Sequence, residues 1–93
     1  MTERRVTIGS RVGLHARPAA LFVQAAAAQP VKVRIANAAG KSVDATSMLG
    51  VLSLGVHGGE EVVLTAEGDG ANEALGVLSA LLAQDHDEAK APS

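Results

Sequence analysis

The stretch Gly13-Leu14-His15-Ala16-Arg17-Pro18-Ala19 sets an imidazole two positions before a guanidinium, with a proline directly after. Proline is tolerated in the first turn of a helix, where an amide has no intrahelical partner to lose. From there Pro18, Leu21, Phe22, Ala25 and Ala26 recur at the spacing of one helical face. The pattern predicts a helix from about Ala16, with His15 at its N-terminal mouth. Free N–H groups and the positive end of the helix dipole favour an anion there. Arg17, on the same turn, offers forked donors to phosphate oxygens. One nitrogen of a neutral imidazole is a nucleophile near neutral pH, and a nearby guanidinium disfavours the imidazolium form. A phosphoester on serine or threonine would be a stable end product, whereas a phosphoramidate on imidazole stays reactive. The arrangement suits a phosphoryl relay on His15, with the Arg17 side chain offering donors to the phosphate.

Metal binding is the rival use of His15. The other histidines, His57 and His86, fall in a loop and a polar tail, and no carboxylate stands at a ligand spacing from His15. They read as solvent-exposed bystanders, with no metal and no cofactor expected. The chain of 93 residues contains no cysteine, so neither a disulfide frame nor a thiolate site is available. Its net charge of −2 and single aromatic residue, Phe22, exclude general nucleic-acid binding. No apolar run is long enough to span a membrane, and none follows the N-terminus as a signal segment. The expected compartment is the cytoplasm.

The elements that must position His15 follow from periodicity. Val6 and Ile8 alternate with Arg5 and Thr7 as a first strand, and Gly9 to Gly13 reads as a loop. The first helix runs to about Ala28, before Gln29-Pro30. Val31, Val33 and Ile35 alternate with Lys32 and Arg34 as a second strand. A turn at Asn37 to Gly40 leads into a third, Lys41 to Ala45, close enough to pair as a hairpin. Thr46 and Ser47 are both candidate caps for a short helix around Met48 to Leu52, which Gly50 weakens and Gly55 can end. Glu61 to Ala66 forms the fourth strand. Asp69 can cap a last helix whose stripe is Ala71, Ala74, Leu75, Leu78, Leu81 and Leu82. Residues 1–84 are thus one domain, and 85–93 a flexible C-terminal tail. The order β-α-β-β-α-β-α, with one face of each strand apolar, predicts an α+β open-faced β-sandwich. Its four-stranded antiparallel sheet carries three helices on one face.

The residues Gly13 to Ala19 resemble the active-site signature of the HPr family. Its members are the histidine-containing phosphocarriers of the bacterial phosphoenolpyruvate-dependent sugar phosphotransferase system. A second stretch, Ser47-Met48-Leu49-Gly50-Val51-Leu52-Ser53-Leu54-Gly55, is similar to the family's signature around a regulatory serine. The resemblance runs from about Val6 to about Gln84. It implies that His15 accepts phosphate on Nδ1 from the phosphorylated histidine of enzyme I and passes it to the A domain of a sugar-specific enzyme II. It implies that Arg17 steadies the phosphate and the transition state, with the backbone N–H groups of Ala16 and Arg17 as further phosphate donors. Such a chain is no enzyme in the ordinary sense, because it is itself the substrate of each transfer. Ser47 matches the serine that an ATP-dependent HPr kinase modifies in the family, and it is also a good helix cap.

Ala16, Ala20, Met48, Leu49 and Leu52 supply more apolar side chains beside His15 than a short helix needs. Some should stay exposed as a docking face for enzyme I and the enzyme II A domain, whereas Leu52 reads as core. A parallel branch, nitrogen-related or serving dihydroxyacetone, would use the same chemistry at His15. A regulatory module acting through Ser47, which binds a transcription regulator, is the alternative of a different class. Relatives confined to that role lack the active-site histidine, so His15 disfavours it. A monomer is the simplest expectation.

Overall fold

The computed structural model describes residues 1–9, 13–14 and 16–84. In chain order the elements are β1 (Thr2–Thr7), α1 (Ala16–Ala27), β2 (Val33–Ala36), β3 (Ser42–Asp44), α2 (Met48–Ser53), β4 (Glu61–Ala66) and α3 (Ala71–Ala83). The strands form one sheet in the order β1-β4-β2-β3, and every neighbouring pair is antiparallel. Register sorts the side chains into rows. Arg4, Leu64, Ile35 and Val43 align across the sheet, and the next row holds Glu3, Thr65, Arg34 and Asp44. A strand turns alternate side chains to opposite faces, so the first row lies on the apolar side and the second on the wet side.

The apolar side packs beneath the helices. Val33, Ile35, Val62 and Leu64 share one buried core with Ala19 and Phe22 of α1, Val51 of α2, and Ala74, Leu75 and Leu78 of α3. The lone aromatic, Phe22, is fully buried. The four-stranded antiparallel sheet and three helices are those expected from the periodicity.

The differences lie at element ends. β2 begins at Val33; Val31 precedes it, half-buried against the core. β3 is three residues long, although the Ala45 N–H still donates to Val33 O at 3.0 Å. Asp69 does not cap α3. Gly70 holds the N-cap position at φ 90° with no side-chain hydrogen bond, and Gly68 before it has φ 100°. Two left-handed backbones in three residues dictate that turn, and only glycine adopts them without strain. Asp69, between them, is exposed. The alternative of Thr46 or Ser47 as the α2 cap resolves to Ser47, whose Oγ accepts the Gly50 N–H at 3.1 Å. Thr46 instead donates both its N–H and its hydroxyl to Asp44 Oδ1.

Candidate functional site

Helix α1 is reached through two closely held residues. Gly13 has φ 76°, and a Cβ there would stand 2.2 Å from Val56 O and 2.6 Å from His57 Cα. No other residue type fits that approach. Leu14 is buried and donates its N–H to Val56 O at 3.1 Å. The first turn of α1 then divides cleanly. Ala16 and Arg17 are exposed, while Pro18 and Ala19 are buried. The helix is thus anchored by its own first turn, and the Arg17 side chain is left at the surface. His15 lies outside the described residues, as do Ser10, Arg11, Val12 and His86.

Helix α2 packs beside α1. Met48, Val51 and Leu54 follow an inward spacing: Val51 and Leu54 are buried and Met48 is half-buried against the core. Leu49 and Leu52 fall on the next face and are 82% and 38% exposed. Leu52 is therefore not core. Met48 and Val51, with Leu54 at the C-cap, fill the inward face, and Leu52, one position past Val51, falls beside it. Leu21 of α1, read from its spacing as part of the buried stripe, is also 40% exposed, and Ala20 is half-buried. Leu21 is an apolar surface residue that spacing alone conceals, because it sits at the edge of the α1 stripe.

The short helix is fixed at both ends. Ser47 caps its start and has an exposed side chain. At its end the Asn37 side-chain amide donates to Leu54 O at 3.1 Å, and Lys41 Nζ to Ser53 O at 3.3 Å. Gly50, a weak helix former, has a packing reason: a Cβ there would meet Val43 Cβ at 3.1 Å and Ser47 Oγ at 3.0 Å. Asp44, just ahead of the helix, has its carboxyl held below the usual carboxylate range. The two Thr46 hydrogen bonds are the main cause, helped by the charges of Lys32 and Arg34.

His57 is exposed on the turn between α2 and β4. Among the described residues no group of three or more His, Cys, Asp or Glu side chains stands ready to hold a metal, and no helix is long and apolar enough to cross a membrane.

The family model for the PTS HPr component phosphorylation site matches residues 2–84. The phosphocarrier protein HPr of Streptomyces coelicolor is 53% identical over 88 residues, covering 95% of each chain. A crystal structure of a phosphocarrier protein HPr from Bacillus anthracis superposes with a TM-score of 0.82 at 41% identity, covering 87% of this chain and 95% of that one. Crh, the catabolite repression protein of Bacillus subtilis, was solved as a swapped dimer. It matches with a TM-score of 0.71 at 41% identity, covering 91% of this chain and 97% of that one. With the sheet order, the two held residues before α1 and the family model in agreement over nearly the whole chain, this protein belongs to the HPr family of phosphocarriers.

Proposed function

We propose that the chain takes a phosphoryl group from phosphorylated enzyme I onto His15 and passes it to the A domain of an enzyme II. The observation that carries this reading is the exposed Arg17 on the first turn of a helix whose next two residues are buried. Arg17 and the N–H groups of Ala16 and Arg17 serve as phosphate ligands, since a helix start supplies donors and a favourable dipole. The step balances simply. The His15 ring nitrogen displaces the donor histidine from phosphorus, and a second displacement by the acceptor's nucleophile takes the phosphoryl group and regenerates the free ring. Leu49 and Leu52, exposed on the neighbouring helix, with Met48, Ala16 and Ala20, form the docking face for both partners. The protein works as a monomer in the cytoplasm; the tail expected over 85–93 lies outside the described residues.

The test is incubation with phosphoenolpyruvate and purified enzyme I. The parent is expected to gain acid-labile, alkali-stable phosphate, and His15→Ala to gain none. A folded His15→Ala that still relays phosphate overturns the assignment.

A second event is favoured by Ser47, whose exposed hydroxyl caps α2. Its phosphorylation by an HPr kinase would set a dianion at the docking face and bias the chain toward a transcription regulator. Acid-stable phosphate on the parent but not on Ser47→Ala, after incubation with ATP and that kinase, is the expected result.

A further inference from the structure

The residues Asp44 to Ser47 carry the chain from β3 into α2, and each N–H after Asp44 has a partner. Ala45, fully buried, donates its N–H to Val33 O at 3.0 Å. Asp44 supplies the other two partners: its Oδ1 accepts the Thr46 N–H at 2.9 Å, and its backbone O accepts the Ser47 N–H at 3.0 Å. The same Oδ1 accepts the Thr46 hydroxyl at 2.7 Å. Ser47 is left with extended backbone, at φ −98° and ψ 109°, and an exposed side chain. Its Oγ accepts the Gly50 N–H at 3.1 Å. A hydroxyl has two lone pairs and one proton, so that bond fixes the oxygen and leaves a lone pair and the proton uncommitted.

Between Lys41 and Glu60 no side chain other than Asp44 is charged, with His57 counted neutral. The core does not need that carboxylate, and α2 takes its cap from Ser47. What Asp44 does is hold the residue directly before Ser47, by backbone and side chain together. We infer, on the reading of Ser47 as a kinase substrate, that Asp44 is a positioning residue for that modification: acting through Thr46, it holds the Ser47 hydroxyl in the pose that a protein kinase meets. In the step itself Ser47 Oγ bonds to the γ-phosphorus of ATP, the bond from that phosphorus to the bridging oxygen breaks and ADP leaves. The hydroxyl proton passes to a base of the kinase. In-line attack requires the oxygen about 3–3.5 Å from phosphorus, and a small misplacement slows it. An acceptor segment whose backbone is already ordered also loses less freedom when the kinase binds.

The experiment follows acid-stable label from ATP with an HPr kinase, at several concentrations of the full-length parent, Asp44→Ala, Asp44→Asn and Thr46→Val. The same preparations are assayed for acid-labile label from phosphoenolpyruvate and enzyme I. Asp44→Ala is expected to lower kcat/KM for Ser47 about three- to tenfold, the worth of one or two hydrogen bonds. Asp44→Asn keeps an acceptor oxygen and should recover the parent's value. Thr46→Val keeps the backbone bond, loses the hydroxyl one, and should fall between parent and Asp44→Ala. Labile label should be unchanged in all three. An Asp44→Ala protein that matches the parent overturns the inference, as does one that loses both reactions alike, which would make Asp44 a support of the fold only. An Asp44→Asn as slow as Asp44→Ala also overturns it, since the charge itself would then be what the kinase reads. A parent that gains labile but no acid-stable label removes the Ser47 reading and this inference with it.

Discussion

Helices α2 and α3 use similar residues to opposite ends. The thirteen residues of α3 bury Ala71, Ala74, Leu75, Leu78 and Leu82, and its one large exposed apolar side chain is Val77, at 52%. The six residues of α2 bury only Val51 and leave Leu49 at 82% exposure. A helix this short is marginal by its own propensity. It is held by a side-chain cap at Ser47 and by Asn37 and Lys41 at its far end. Polar contacts at the ends free its outer face from any duty in packing. Helix α3, with no side-chain cap at its start, depends on its buried stripe.

The sharpest break in that contrast is Leu78→Ala. Removing a fully buried leucine from the α3 stripe is expected to cost about 2–5 kcal/mol, read by urea unfolding. Gly13→Ala comes next. A left-handed backbone and a contact with Val56 O that leaves no room for a methyl group should together cost about 1–3 kcal/mol, and the Leu14 N–H should lose amide-exchange protection. Ser47→Ala removes the α2 cap and should cost about 1 kcal/mol, with Ser47→Asp recovering most of it. Leu49→Ser reverses the pattern. Its stability should stay within about 0.5 kcal/mol of the parent, while the rate of phosphoryl exchange with enzyme I falls. A Leu49→Ser protein that is strongly destabilised would show that α2 packs as α3 does.

The smallest effect belongs to Asp44. Its folded carboxyl titrates below its unfolded value, so the stability it adds is complete above the ordinary aspartate value of about 4 and is lost as pH falls through the lower, folded value. The gap in Tm between parent and Asp44→Ala should therefore be constant at neutral pH and close in acid. Because the group stands at the surface, that gap is small.

The contrast also marks what sequence could reveal. Strands and long helices were legible, because Val62-Leu64-Ala66 and Ala74-Leu75-Leu78-Leu82 repeat at the period of their element. Leu52 and Leu21 were not, because a short or broad stripe leaves its edge residues undetermined until neighbours are placed. The sequence offers Asp69 as the cap of α3, but Gly68 and Gly70 set that turn. The motif from Gly13 to Ala19 pointed to a chemistry through residue types alone. Nothing in the sequence placed His57 beside it, since their approach depends on a backbone contact between residues far apart in the chain.

The strand before the Gly13 to Ala19 motif, β1, finds its sheet partner in β4, and Ile8 and Leu14 are held by the backbone of Val56 to Glu60. Both partners come from the later half of the chain. While the protein is being synthesised, the N-terminal portion holds every residue of the Gly13 to Ala19 motif and none of the backbone that shapes it. Closing those distant pairings is the slow kind of folding step. Presentation of the motif is thereby tied to completion of the fold, and a truncated chain holds the motif without the means to present it.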